Sequence, residues 1–155
     1  MRSIKGVLGL LFFLAVCFSA AAFGSLFPPG EWYADLAKPA WNPPAWIFGP
    51  VWTLLYTMMA VAAWRVWWRR GLGPARLALA VFMFQLVLNA LWSALFFGLK
   101  MPGVAFAHIL LLLAAISLTI VLFRREDPLS VWLLVPYWLW VAFASVLNLT
   151  LWWMN

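Results

Sequence analysis

Five apolar runs, at roughly 6–27, 46–68, 75–99, 104–123 and 129–153, take up most of the chain. Each is near the ~20 residues that a helix needs to cross about 30 Å of hydrocarbon. Hydrocarbon offers the backbone no hydrogen-bond partner, so runs of this length satisfy their own N–H and C=O groups as helices. The expected fold is all-α: a polytopic membrane bundle of five transmembrane helices, with 1–155 as a single membrane domain. Composition agrees, because the chain is 68% hydrophobic and 9% charged with mean hydropathy +1.00, against about half apolar and a quarter charged in soluble domains. Five spans in 155 residues leave no room for a separate soluble domain.

The breakers between runs are rich in proline, glycine and charge. The longest, 28–45, carries Glu31, Asp35, Lys38 and five prolines, which fix φ and remove N–H donors. It is expected to be a structured loop without regular helix. The others are Arg69 to Pro74, Lys100 to Gly103, and Arg124 to Pro128. Pro136 loosens the start of the fifth span. The first run follows Arg2 and Lys5 and contains Ala20-Ala21-Ala22, so a cleaved signal peptide is the alternative to a first span. Its length exceeds the ~7–15 apolar residues of a signal core, which favours the span. Cys17, after Leu14-Ala15-Val16, is a poor lipoprotein match. As the only cysteine it forms no intrachain disulfide, and with the single histidine it makes no protein-only zinc site, so no metal is expected.

The net charge of +6 would point to nucleic acid in a soluble protein, but here the bilayer orders it. Counting alternate sides groups Arg2, Lys5, Arg65, Arg69, Arg70, Arg76, Arg124 and Arg125, and leaves Lys38 and Lys100 opposite. Basic residues concentrate on the cytoplasmic side. The N-terminus is therefore expected in the cytoplasm of a bacterial inner membrane, with the proline-rich loop and Asn155 on the other side and no nucleic-acid partner. Trp32, Trp41, Trp46, Trp64, Trp67, Trp68, Trp152 and Trp153 fall near span ends, where indoles anchor at the interface.

No Asp, Glu, Lys or Arg lies deep in a span, which argues against an ion-coupled pump. His108, early in the fourth span, reads as a neutral histidine bonded to a neighbouring helix or near the interface, with haem ligation as the alternative. No nucleophile, base and orienter triad can be assembled. What remains inside is amides, hydroxyls and aromatics. Gln85, Asn89, Trp92 and Phe96, at offsets of 4, 7 and 11 residues, share one face of the third span. Buried amides must be satisfied, so that face should point inward. Ala90, Ala94 and Gly98 lie opposite and would let a second subunit, or another helix of the same chain, approach closely. Tyr137, Trp140, Ala144 and Asn148 form a matching face on the fifth span, and Trp52 and Tyr56 another on the second. Such walls suit a flat apolar ligand, or plain core packing.

At this point the sequence resembles the tryptophan-rich sensory proteins of bacteria and the translocator proteins (peripheral-type benzodiazepine receptors) of mitochondria. The resemblance rests on Trp32-Tyr33, Leu36, Lys38-Pro39, Trp41 and Pro43-Pro44; on Gly49-Pro50, Trp52 and Leu55-Tyr56; on Asn89, Trp92 and Phe96-Phe97-Gly98; and on Pro136-Tyr137, Trp140, Ala142-Phe143-Ala144 and Leu147-Asn148. It implies a five-helix bundle, commonly a homodimer through Ala90, Ala94 and Gly98. It also implies a pocket for porphyrins and other tetrapyrroles at Trp52, Asn89, Trp140 and Ala144, to which the helical spacing adds Tyr56 and Trp92, under a lid containing Tyr33, Trp41, Pro43 and Pro44. The tetrapyrrole is a ligand; no cofactor is required. Two departures bear on ligands of the mitochondrial relatives. No Lys or Arg follows Tyr137, so sterol binding is not expected, and Val104 and His108 replace their fourth-span aromatic and acid, so drug affinity should differ.

Three functions are in competition. The first is a non-enzymatic tetrapyrrole receptor or sensor taking part in porphyrin transport or regulation. The second is a light-dependent porphyrin-degrading enzyme using Trp52 and Trp140. The third is a structural or assembly subunit whose pocket merely holds lipid.

Overall fold

The computed structural model describes residues 2–155, with side chains from Ile4 onward, so Arg2 contributes only its backbone. The elements are α1 (Arg2–Ser25), α2 (Glu31–Asp35), α3 (Ala45–Arg70), α4 (Leu72–Ser93, continued as a π-turn over Ala94–Gly98), α5 (Pro102–Glu126) and α6 (Pro128–Met154). Five of these helices are long and apolar enough to cross a membrane. Their outward faces carry exposed leucine, valine and phenylalanine, while alanines, Met59, Phe82, Phe123 and Leu134 fill the interior.

Two expectations about the connections are corrected. The expected loop of six residues between the second and third spans shrinks to Gly71, and α5 and α6 begin at Pro102 and Pro128. Prolines placed among the breakers sit instead in first turns, where no intrahelical N–H partner exists to lose. Gly71, with φ +76°, makes the reversal between α3 and α4, a conformation without penalty only for glycine. The second correction concerns 28–45, which contains the short helix α2. Its prolines flank Glu31–Asp35 rather than interrupting it, and the Gly30 carbonyl accepts from the N–H groups of Tyr33 and Ala34. α6 runs through Pro136 without a break, at the loss of the one hydrogen bond its missing N–H would have made.

One end of the bundle is basic and tied by ions. Asp127, buried between α5 and α6, accepts from Arg65 Nε at 2.8 Å and Ser130 Oγ at 2.6 Å, with Arg69 Nε 3.5 Å away. Arg70 pairs with Glu126 at 3.4 Å and donates to its carbonyl. The Trp64 indole donates to the Gly6 carbonyl at 2.9 Å, and Gly6 and Gly9 of α1 lie under the rings of Trp68 and Trp67. Phe27, Ser93, Pro102 and Asn155 gather at the other end. The chain's two ends therefore lie at opposite ends of the bundle, as five spans require.

The π-turn marks where α4 reaches that far end. The Leu99 N–H bonds the Ala94 carbonyl at 2.7 Å and the Met101 N–H bonds that of Leu95 at 3.1 Å, bonds five and six residues apart in place of four. Such single-turn bulges recur at functional sites.

Candidate functional site

The inward face expected on the third span is present. Gln85, Asn89 and Phe96 are buried and Trp92 is half-buried. A directed chain of hydrogen bonds crosses the bundle there. Tyr56 Oη donates to Asn89 Oδ1 (3.0 Å), Asn89 Nδ2 to Tyr137 Oη (2.7 Å), and Tyr137 Oη to Gln85 Oε1 (2.7 Å); Gln85 Nε2 lies 4.0 Å from Met59 Sδ. The interior amides are thus satisfied through the two phenols, Tyr56 and Tyr137. Tyr137→Phe strips Gln85 Oε1 of its donor and Asn89 Nδ2 of its acceptor. It is expected to cost about 2 kcal/mol in unfolding stability, read as a lowered melting temperature in detergent; an unchanged melt would mean that water replaces the phenol.

Trp92 donates to Asn148 Oδ1 at 3.1 Å, and Asn148 Nδ2 donates to the Pro102 carbonyl at 2.8 Å, stapling α4 to α6 and the start of α5. His108 Nε2 donates to the Leu88 carbonyl at 2.7 Å, a bond to a neighbouring helix as expected.

The tryptophans of the bundle divide by what their N–H groups reach. Trp64, Trp92 and Trp138 each donate to a protein oxygen. Trp52 and Trp140, both half-buried, donate to none among the described residues, as does Trp67 at the basic end, and neither N–H of the first two is sealed from the surface. Trp52 lies 5.4 Å from the ring of Tyr56 and 6.3 Å from that of Tyr137, while Trp140 lies 5.8 Å from Phe48 and 5.6 Å from Phe143. α3 and α6 therefore present one aromatic wall with two indole donors unspent. Ala144, half-buried, lies one turn beyond Trp140.

The lid closes on this wall through its own aromatics. Trp41 sits edge-on to Phe143 at 5.9 Å, and Tyr33 edge-on to Phe97 at 5.4 Å and to Phe96 at 6.2 Å. Trp92 stacks on Phe96 at 5.0 Å, so the lid reaches α4 through that pair. Burial pushes the Tyr33 phenol above its ordinary pKa, and its hydroxyl donates to Asn42 Oδ1 at 3.4 Å. Lys38 Nζ donates to the carbonyls of Ala34 and Leu36 and lies 4.8 Å above the Tyr33 ring. Pro43 is half-buried, and Pro44 is exposed and caps α3, with its carbonyl accepting from Ile47.

Phe48, Phe143 and Asn155 join the site without having been singled out. Phe48 stands one turn before Trp52, so its spacing was a usable signal; Asn155 had none. Of the small-residue row, Ala90 and Ala94 are half-buried, and Gly98 lies against Phe27 of the same chain, where an added Cβ would come within 2.7 Å of that ring.

Comparison with known proteins gives a consistent result. The chain is 40% identical over 153 residues to the tryptophan-rich protein TspO of Chlorobaculum tepidum, covering 95% of this chain and 96% of that protein. It is 41% identical over 138 residues to the tryptophan-rich sensory protein of Cereibacter sphaeroides, covering 89% and 85%. It is 40% identical over 134 residues to the translocator protein of Homo sapiens, covering 83% and 79%. The TspO/MBR family profile matches residues 13–154. With its five apolar helices, the chain is an integral membrane protein that belongs to the TspO/MBR family.

Proposed function

We propose that this protein is a membrane receptor or sensor that takes porphyrins and related tetrapyrroles against the aromatic wall beneath the lid, and that it takes part in their transport or regulation. The observation that carries this reading is the pair of indoles on α3 and α6: Trp92 and Trp138 spend their N–H groups within the protein, whereas those of Trp52 and Trp140 are left open beside a half-buried aromatic surface. A planar, largely apolar molecule bearing acceptor groups matches that surface, stacking on rings and accepting from indoles. The names of the relatives, a sensory protein and a translocator protein, fit the same reading. The basic end, with Arg69, Arg70, Arg124 and Arg125, is assigned to the cytoplasm of the inner membrane, and the lid to the opposite side. A homodimer would use the accessible parts of Ala90, Ala94 and Gly98.

The test is quenching of tryptophan fluorescence by protoporphyrin IX, in the dark and under light, for wild type and Trp140→Phe. Saturable quenching is expected, with affinity about tenfold weaker in the variant through loss of one indole donor. Quenching that never saturates would mean partitioning into the detergent or bilayer and would return the lipid-holding subunit to first place. Loss of the porphyrin bands only under light would promote the degrading enzyme instead.

A further inference from the structure

Asn155, just beyond α6, reaches across to the lid. Its side-chain Oδ1 accepts from the Ala37 N–H at 2.9 Å, and its Nδ2 donates to the Ala37 carbonyl at 3.1 Å. Both backbone groups of a single lid residue are thereby engaged by one amide, a reciprocal pairing that neither a hydroxyl nor a carboxylate reproduces. The same Nδ2 donates to the Leu151 carbonyl at 2.9 Å, and Leu151 is buried in the small core with Phe96, Ala105 and Leu147. The amide is therefore held on a rigid helix end while it grips the lid.

The position of Ala37 gives this grip its consequence. It stands midway between Tyr33 and Trp41, four residues from each, and those two rings, with Trp32 edge-on to Phe96 at 5.8 Å, anchor the lid on α4 and α6. Trp41 covers Phe143, which in turn packs on Trp140. Lifting the segment at Ala37 would draw both rings away and uncover Phe143, the ring that packs on Trp140. Between Leu36 and Trp41 the lid has no regular secondary structure of its own, so a hydrogen bond made there from outside has large leverage on its opening.

We infer that Asn155 is a positioning residue that latches the lid shut over the aromatic wall and thereby sets how fast a ligand enters and leaves. The role in ligand traffic rests on the receptor reading above; the latch itself does not.

The experiment uses the full chain in lipid nanodiscs, comparing wild type, Asn155→Ala and Asn155→Asp. Hydrogen exchange of the lid amides is measured without ligand, and protoporphyrin IX dissociation is then followed by stopped flow. In Asn155→Ala the lid amide at Ala37 should exchange about tenfold faster, with mid-α6 amides unchanged. Asn155→Asp keeps the acceptor but loses the donor and should fall between. Porphyrin should leave the alanine variant about tenfold faster at unaltered stoichiometry. Lid exchange that matches wild type in both variants overturns the latch. Faster lid exchange with unchanged dissociation confines Asn155 to lid structure and overturns its part in ligand traffic. A wild type that binds no porphyrin, with a lid that still loosens, sinks the receptor reading and leaves the latch standing.

Discussion

Gly9→Ala should destabilise the bundle by about 2 kcal/mol, and Gly9→Leu should prevent α1 from docking. A Cβ at Gly9 would drive into the six-membered ring of Trp67, coming within 2.8 Å and 2.9 Å of two of its carbons and closer still to a third. The ring has little freedom to swing away. Trp67 is flanked by Phe13 at 6.3 Å and Trp68 at 6.2 Å, and its neighbour Trp64 is tied to the Gly6 carbonyl. The extra carbon must therefore push α1 and α3 apart along their contact. Gly49→Ala is the control, since nothing lies within 4 Å of a Cβ there. Thermal melts in one detergent should show a clear drop for Gly9→Ala beside a near-neutral Gly49→Ala. Equal melting temperatures would mean that the indole moves freely and that the glycine is not a packing requirement.

Asp127→Ala should cost about 2 kcal/mol. Removing one partner of a buried pair leaves the other charge uncompensated, with losses of about 3–5 kcal/mol when both are sealed. The loss here is smaller, because the Arg65 and Arg69 side chains are 28% and 57% exposed and recover hydration. Ser130 would lose its acceptor as well. Burial alone would raise the Asp127 pKa. The hydrogen bonds from Ser130 and Arg65 and the charges of Arg65 and Arg69 outweigh that and hold the carboxyl below the ordinary range. A carboxylate with a depressed folded pKa lends stability that is complete above the unfolded value of about 4 and is lost as pH falls through the folded one. Acid titration of stability should therefore show a step below about pH 4 in wild type that is missing in Asp127→Ala. An alanine variant with the same acid profile would assign the step to other carboxylates.

How much was legible follows from what each inference used. The five spans were readable because hydrocarbon leaves a chain no alternative to closed backbone hydrogen bonding, and length and apolarity are printed in the sequence. The inward face of the third span was readable because amides at helical spacing have only one tolerable direction in an apolar medium. The turns were less so. A proline in a breaker and a proline in a first turn read alike, and only the backbone at Gly71, Pro102 and Pro128 separates them. In the site, residue types were recovered better than roles. Asn89 and Trp92 were expected to line a pocket, yet their polar groups are bonded within the protein, whereas Trp52 and Trp140 keep theirs open. That distinction depends on pairings between distant helices, which periodicity along one helix does not encode. The grip of Asn155 on Ala37 spans 118 residues and lay further still beyond reach.

The π-turn at Ala94–Gly98 has a mechanical meaning for the mouth of the site. A wide turn holds one residue more than an α-turn of the same rise, so it stores a single residue of slack in the end of α4. Trp92 lies before the slack, and Phe97, against which Tyr33 rests, lies within it. Drawing the turn tight would rotate everything after it by about 100°, carrying the lid's footing sideways while the staple from Trp92 to Asn148 stayed put. The end of α4 thus divides in two: Trp92 and its bond to Asn148 belong to the regular helix, and the footing of Tyr33 belongs to the wide turn.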